Sequence, residues 1–185
     1  QTTRGPRIVV SRTHPGLLRR LLELEIPEIQ EGTIEIRNIV REAGARAKVA
    51  VASLDTNVDP VGACVGSRGT RIKSISGELG GERIDVIVWS SDPLAYVRNA
   101  LSPAKIAKIE PILEQEKALR VFVRPDQLSL SIGKAGQNVR LAARLTGWKI
   151  DIKVLEPERL PTLKDLFEDI ITDTGDSLWE DPKKD

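Results

Sequence analysis

The chain lacks several residues on which common chemistries depend. Its 185 residues include no methionine, one cysteine (Cys64) and one histidine (His14). A single cysteine excludes an internal disulfide framework and a cysteine-rich metal site, and it suits a reducing, cytoplasmic setting. Because the cysteine and the histidine are far apart in sequence, no nucleophilic pair or metal cluster suggests itself. We therefore expect no enzymatic activity, no metal and no cofactor.

Long apolar segments are also missing. No run approaches the ~20 apolar residues needed to cross a bilayer, and no signal-peptide pattern opens the sequence, so no membrane partner is expected. Hydrophobic residues make up 40% and charged residues 30% of the chain, which is typical of a globular protein with a core. Because the sequence starts without methionine, we expect it to be part of a longer protein.

The net charge of +1 conceals an asymmetry. Residues 157–185 hold nine acids and four bases and so carry −5, which leaves +6 on residues 1–156. A basic body with an acidic tail favours a polyanionic partner for the body, although a basic face that is merely solvated gives the same count. Apolar residues at helical spacing within 157–185 predict that the acidic tail is partly helical.

Proline-led helix starts and apolar periodicity divide most of the chain into two similar units. Helices are predicted where a capping residue or proline precedes an apolar stripe, and strands where apolar residues alternate or run together. Each unit has the order α-β-β-α-α-β. The predicted helices lie at 15–24, 58–65, 70–79, 93–101, 126–132 and 137–146, and the predicted strands at 33–40, 47–52, 83–89, 104–113, 119–123 and 149–155.

A short glycine motif occurs once in each unit. Gly66-Ser67-Arg68-Gly69 and Gly133-Lys134-Ala135-Gly136 each follow an aliphatic residue and precede a predicted helix, at an offset of 67 residues. Later in each unit, strands containing Ile84-Asp85 and Ile150-Asp151 match at an offset of 66. The period is too long for a solenoid repeat and indicates a duplicated small domain.

The glycine motif has the chemistry of a phosphate clamp. A helix start offers unpaired N–H groups and the positive end of the helix dipole, and glycine lets a phosphate approach the backbone closely. The motif is neither a nucleoside triphosphate loop nor a dinucleotide fingerprint. One G-x-x-G alone is explained equally well by a tight turn between helices with solvated basic residues. Its duplication in the same context favours the clamp, which in known loops of this kind holds about four nucleotides.

The α-β-β-α-α-β unit with G-x-x-G resembles the prokaryotic-type (type II) KH domain, which binds single-stranded RNA or DNA. The sequence of residues 11–51, 59–87 and 128–152 is similar to that of the tandem KH region of the NusA family of bacterial transcription factors. The resemblance implies an α+β fold in which each unit packs a three-stranded sheet on helices. It also implies four segments: a remnant strand of a preceding oligonucleotide-binding barrel, a first KH domain, a second KH domain and the acidic tail, at 1–12, 13–90, 91–156 and 157–185.

The predicted RNA site consists of the two loops and the side chains that follow them. Aromatic residues are only 3% of the chain, so bases are expected to rest on aliphatic residues rather than on a stacking platform. Each aliphatic candidate is explained at least equally well as an ordinary core residue; these candidates are Val65, Ile72, Ile132 and Val139. The predicted RNA-binding residues are Gly66, Ser67, Arg68, Gly69, Arg71, Lys73, Gly133, Lys134, Ala135, Gly136, Gln137, Asn138 and Arg140.

The resemblance implies a function in transcription elongation, pausing, termination and antitermination through sequence-selective binding of nascent single-stranded RNA. It implies further contacts with RNA polymerase, through domains missing from this chain, and with other antitermination factors, in the bacterial cytoplasm. Two alternatives remain open from the residues themselves. One is a KH-type RNA-binding protein of ribosome assembly or RNA maturation, and the other is a protein-interaction scaffold whose KH folds do not bind RNA.

Overall fold

The computed structural model describes residues 8–113 and 115–155. The first unit contains helices α1 to α4 and strands β1 to β3, and the second contains helices α5 to α7 and strands β4 to β6. In chain order they are α1 (Pro15–Glu25), α2 (Pro27–Gln30), β1 (Ile34–Glu42), β2 (Arg46–Ser53), α3 (Pro60–Val65), α4 (Thr70–Glu78), β3 (Arg83–Val88), α5 (Pro93–Ala100), β4 (Ile106–Pro111), β5 (Ala118–Val123), α6 (Leu128–Ile132), α7 (Gln137–Thr146) and β6 (Lys149–Val154).

Three helices begin at the proline positions that the sequence indicates. In α3 and α5 the residue before the proline is an aspartate whose carboxylate accepts hydrogen bonds from two backbone N–H groups of the first turn. In α1 the Nδ1 atom of His14 accepts from the backbone N–H of Gly16 at 3.0 Å. Proline loses nothing at these positions because the first N–H groups of a helix have no intrahelical partner. The only histidine of the chain is thus a helix cap.

Each unit forms one three-stranded sheet with the same topology. Strands β1 and β2 are antiparallel and β2 and β3 are parallel, and the second sheet repeats this order with β4, β5 and β6. In both sheets the aspartate of the Ile-Asp segment lies opposite a cation on the central strand: Asp85 pairs with Lys48, and Asp151 with Arg120. The aspartate of each Ile-Asp segment therefore neutralises a positive charge on the central strand of its sheet.

The first hydrophobic core lies between α1, α4 and the sheet of the first unit. It is built from fully or nearly fully buried side chains, including Leu18, Leu22, Val49, Cys64 and Ile75. Burying a side chain of this size stabilises the fold by roughly 1.5–3 kcal/mol. The core fixes α4 on the sheet and so fixes the loop that precedes it.

The second core is shared by the two units. It joins Val40, Ala50 and Ile87 of the first sheet to residues of α5, β5 and α7, among them Leu141 and Leu145. Helix α7 contacts both β1 and β2 of the first unit. Residues 8–155 therefore form one compact body rather than two units on a flexible tether.

A buried lysine lies at the boundary between the units. Lys48 is 0% exposed, and its Nζ donates to the carboxylate of Asp85 at 3.0 Å and to the carbonyl of Ser102 at 3.2 Å. Desolvation lowers the pKa of Lys48, and the neighbouring Asp85 carboxylate opposes that shift. A buried charge is tolerated only when it is paired and hydrogen-bonded, so this lysine constrains how the units meet.

The predicted architecture is confirmed, with local differences. The α+β class and the two three-stranded sheets are as expected, whereas the short helix α2 was not predicted because only proline at 27 signals it. The helix predicted at 126–132 begins with a 3₁₀ turn, Pro125–Gln127. Residues 8–12 have neither helix nor strand, while residues 1–7 and the acidic tail at 157–185 lie outside the described part. Within that part no helix combines the length and apolar character needed to cross a membrane.

Substitution at the shared core should destabilise both units together. Leu145 is 2% exposed on α7, and its truncation leaves a cavity that the first sheet also lines. We expect Leu145→Ala to lower the free energy of unfolding by about 2–5 kcal/mol and to leave a single transition in urea, followed by circular dichroism and tryptophan fluorescence. Two separate transitions in the parent chain would show that the units fold independently.

Candidate nucleic-acid interface

The two glycine loops have the same backbone conformation. Their first glycines, Gly66 and Gly133, both have φ 75° and ψ 171°. The third residues, Arg68 and Ala135, lie in the left-handed region at φ 53° and φ 51°. Non-glycine residues rarely adopt this conformation, because Cβ approaches the carbonyl oxygen. Its occurrence at the same position of both loops shows that the loop shape is retained in spite of different side chains.

The first glycine of each loop is required by the fold. A Cβ atom on Gly66 would lie 2.8 Å from Cγ of Arg71, and one on Gly133 would lie 2.8 Å from Cβ and 2.9 Å from the backbone nitrogen of Asn138. The combination of φ and ψ is also one that only glycine adopts readily. These glycines let the chain pass close to the helix that follows.

The second glycine of each loop faces open space. A Cβ atom on Gly136 would meet no atom within 4 Å, and one on Gly69 would meet only Cε of Lys73, at 3.6 Å. Both residues precede a helix start, and neither provides a side-chain cap for the helix. The backbone N–H of Thr70 donates to the carbonyl of Ser67, and that of Gln137 donates to the carbonyl of Lys134. The dipole of each helix still favours an anion at its start.

Exposed cations accompany both helix starts. Ser67, Arg68 and Lys73 are exposed at the first loop, and Lys134 and Ala135 at the second. Nζ of Lys73 donates to the carbonyl of Arg68 at 3.1 Å, which holds its charge over the loop. An exposed ammonium or guanidinium beside a helix start suits a phosphate oxygen. The cation stands at the third position of the first loop and at the second position of the other.

Arg71 has a structural partner that the sequence did not indicate. Its Nη1 donates to both carboxylate oxygens of Glu28, at 3.1 and 2.8 Å, and to the carbonyl of Ala63 at 2.6 Å. The side chain crosses beneath Gly66 and ties α4 to α2 and α3. Contact between Arg71 and a phosphate, which we predicted, would require the guanidinium to leave these acceptors.

Asn138 is buried, in contrast to the prediction that its amide contacts RNA. It is 0% exposed, and its Nδ2 donates to the carbonyls of Leu101, Leu130 and Ser131 at 3.0–3.2 Å. These bonds join α7 to the ends of α5 and α6 and leave the amide no donor for a ligand. The prediction for Asn138 is corrected: the residue holds the second loop in place from below.

Gln137 and Arg140 contact the first unit. Nε2 of Gln137 donates to Glu42 at 2.8 Å, and Arg140 donates to both carboxylate oxygens of Glu42, at 2.7 and 3.1 Å. Hydrogen bonds from Arg140 and Gln137 lower the pKa of Glu42 to about 2. Nη1 of Arg140 also donates to the carbonyl of Ala135, at 3.2 Å. Glu42 was missed because nothing in the sequence places it beside a helix about 95 residues further on.

The predicted groove residues differ in accessibility. Ile132 is 37% exposed and Val65 is half-buried, and both directly precede a glycine loop. Ile72 and Val139 pack against the first and second cores, respectively. Beside them, β3 and β6 are edge strands of their sheets. Each loop is therefore flanked by one accessible aliphatic side chain and by a strand edge that can donate and accept hydrogen bonds.

Cys64 and the acidic residues provide no sign of another chemistry. Cys64 is buried two residues before Gly66, and desolvation raises the pKa of its thiol to about 11, so the thiol stays protonated at neutral pH. Within residues 8–113 and 115–155 no group of three or more histidine, cysteine, aspartate or glutamate residues is arranged to hold a metal ion.

The fold and the two loops define a tandem pair of KH domains. Family models for the NusA-like first KH domain and the NusA-like second KH domain match residues 12–89 and 93–159. The crystal structure of APE1850 shares the fold with a TM-score of 0.54 and 26% sequence identity, covering 73% of this chain and 96% of that one.

Whole-sequence relatives agree with the family models. The chain is 57% identical over 166 residues to the transcription termination/antitermination protein NusA of Halalkalibacterium halodurans, covering 89% of this chain and 43% of that protein. It is 59% identical to NusA of Bacillus subtilis, with 83% of this chain and 41% of the relative covered, and 53% identical to NusA of Thermus thermophilus, with 84% and 40% covered. The chain belongs to the NusA family, of which it contains both KH domains, and it spans about two fifths of the length of these curated relatives.

The two glycines of one loop should respond differently to alanine. Gly133→Ala is expected to lower the free energy of unfolding by about 3 kcal/mol, because it adds a contact with backbone to a glycine-only conformation. Gly136→Ala should cost about 1 kcal/mol, because only the left-handed φ opposes it. Urea denaturation of both variants measures the difference. Equal losses would contradict the separate roles assigned to the two glycines.

Proposed function

We propose that the two KH domains bind one strand of single-stranded RNA, with a phosphodiester segment held at each glycine loop. The observation that carries the proposal is the pair of loops with one backbone conformation, each ending at an uncapped helix start with an open glycine. Gly69 and Gly136 are the points of closest approach for phosphate. Arg68, Lys73 and Lys134 supply positive charge, and Ser67 and the backbone of Ala135 lie along the same loops.

The proposed mode of recognition follows from the elements beside the loops. The aliphatic side chains Val65 and Ile132 offer contact to the faces of unstacked bases. The free edges of β3 and β6 offer N–H and C=O groups to base edges. Bases are accessible in this way only in a single strand, since the grooves of an RNA duplex hide them or present mainly 2′-hydroxyl groups. Sequence selectivity would come from the base edges, and the phosphates would supply affinity.

The body of the chain also has the charge balance for such a partner. Residues 1–156 carry +6, and positive charge accelerates encounter with a polyanion. Arg140 is half exposed and already paired with Glu42, so it adds to the field near the second loop without being free to bind a phosphate alone. The scaffold alternative, KH folds that do not bind RNA, provides no reason for open glycines and uncapped helix starts in both domains.

Aspartate at the open glycines should weaken RNA binding through its charge. Gly69→Asp and Gly136→Asp each place a carboxylate where a phosphate is proposed, and asparagine is the matched control because it has nearly the same shape and tolerates left-handed φ. Binding is measured by fluorescence anisotropy with a labelled RNA of about a dozen nucleotides. Each aspartate variant should lose about tenfold or more in affinity, and each asparagine variant should lose considerably less.

Salt and competition complete the test. The logarithm of affinity should fall by ~0.7 per phosphate contact for each tenfold rise in salt, with a smaller slope for the aspartate variants. Duplex RNA should not compete. If aspartate and asparagine variants bind as the parent does, the loops are only turns and the clamp is refuted.

We further propose that the protein acts in bacterial transcription, as a non-catalytic factor of elongation, pausing, termination and antitermination. The support is the family membership and the names of the relatives. RNA polymerase and other antitermination factors are the proposed protein partners, and the proposed compartment is the cytoplasm. The polymerase contacts are proposed to lie in parts of the longer protein that this chain does not include.

The transcriptional proposal predicts a phenotype for loop variants in the full-length protein. With purified bacterial RNA polymerase, the parent protein should change the fraction of transcripts that end at an intrinsic terminator. Gly69→Asp with Gly136→Asp should reduce that change severalfold while binding to polymerase is retained. An unchanged termination profile, together with lost RNA binding, would separate the RNA site from this process and favour a role in RNA maturation.

A further inference from the structure

A cleft of about 480 Å³ opens at the end of the first KH domain that is opposite its glycine loop. It lies where the parallel strands β2 and β3 both end, beside Pro60 at the start of α3 and beside the connection to the second domain. Its lining is mixed rather than purely apolar and includes Arg37, Asp55, Val88 and Trp89.

One wall of the cleft is a stacked pair of planar side chains. The guanidinium carbon of Arg37 lies 4.8 Å from the ring centroid of Trp89. Tyr96 packs against the indole, with ring centroids 6.5 Å apart at 60°, and the guanidinium forms a partly exposed ion pair with Glu35 at 3.1 Å. Arg37 is itself the extra residue of a β-bulge in β1, and bulges redirect side chains. A guanidinium over an aromatic ring offers its outer face to another planar group.

The lining of the cleft also includes a negatively charged side chain. Oδ1 of Asp55 accepts from the backbone and side-chain nitrogens of Asn57, at 2.9 and 3.0 Å, and these bonds orient the exposed carboxylate. Val88 is 41% exposed and provides an apolar contact. A carboxylate repels a phosphate but accepts hydrogen bonds from the amino groups of a base. The chemistry of the cleft therefore suits a nucleobase better than a phosphate.

The cleft is continuous with the proposed RNA groove. Helix α3 starts at the cleft and ends at Gly66 of the glycine loop, and its six residues span about 9 Å, a distance that a few nucleotides of an unstacked strand can bridge. Strand β3, which contacts α3, contributes Val88 to the cleft and an edge to the groove.

Within residues 93–113 and 115–155 the second KH domain has no such wall. A β-bulge recurs in β4 at the equivalent position, but the residue there is Ala107. With the offset of 66 that aligns the Ile-Asp strands, Leu155 is the residue equivalent to Trp89. The shared bulge belongs to the fold, whereas the arginine and tryptophan are specific to the first domain.

We propose that the cleft holds one nucleobase of the bound RNA strand, next to the nucleotides in the first groove, by stacking on the guanidinium of Arg37, which lies over the ring of Trp89. The inference rests on the proposed RNA binding and adds to it a base site at the junction of the two domains. Its occupant comes from the same strand, so the site extends the RNA contact of the first domain beyond the glycine loop and its groove.

Substitutions of Arg37 test the cleft without altering the clamp loops. Arg37→Gln should weaken binding of the dozen-nucleotide RNA about tenfold, the order expected for one stacked base. Arg37→Lys should weaken it nearly as much, because lysine keeps the charge but has no plane to stack on. Arg20→Gln is the matched control: it removes one positive charge from another exposed site, 66% exposed and paired with Glu23, and should change affinity less than twofold.

Tryptophan fluorescence gives a second reading in a chain whose other tryptophans are replaced, Trp148→Phe with Trp179→Phe. Trp89 emission should be quenched by the RNA and should not be quenched in the Arg37→Gln background at equal occupancy. Equal effects of Arg37→Gln and Arg20→Gln, or full rescue by Arg37→Lys, would overturn the base site while leaving the clamp proposal intact. Failure of the parent chain to bind RNA would overturn both.

Discussion

The packing of α7 on the first sheet is the constraint on which the rest of this structure depends. The helix that starts at the second glycine loop is the same helix whose apolar side closes the shared core with Val40, Ala50 and Ile87. The position of the second loop is therefore set by the first domain. If one RNA strand occupies both proposed clamps, the rigid body loses little further freedom, and the second contact forms at a high effective concentration.

The polar contacts of the same interface involve two side chains that were predicted to bind RNA. Glu42 draws Arg140 and Gln137 toward the first domain, and Lys48 reaches across to the carbonyl of Ser102. Each bond specifies the register between the domains, and those of Gln137 and Arg140 occupy donors that were predicted to contact RNA. Arg68 and Lys134 are exposed on the loops and, in the part of the chain that the structure describes, form no ion pair across this interface.

Sequence patterns predicted the elements well because their causes are local. Proline after a capping residue starts α1, α3 and α5, and glycine with a required positive φ marks both loops. The direction of individual side chains was a different matter. Asn138 and Arg71 follow the loops in the same way as plausible ligand contacts. Asn138 is nevertheless buried where α7 meets the ends of α5 and α6, and Arg71 is held by Glu28. Their roles depend on which helix ends lie beneath the loop, and the sequence contains no local signal for that.

The equality of the two loop backbones has a consequence for how such a domain pair can change over generations. Ser67-Arg68 and Lys134-Ala135 adopt the same turn conformation in their two loops. The loop shape is therefore determined by the glycines and by the buried side chains beneath them. The third residue of each loop must tolerate a left-handed φ, and within that limit the two middle residues can differ. A cation can therefore appear, disappear or move by one position without a new fold being required. Under the proposed RNA binding, each copy can change its own affinity while its neighbour maintains the association.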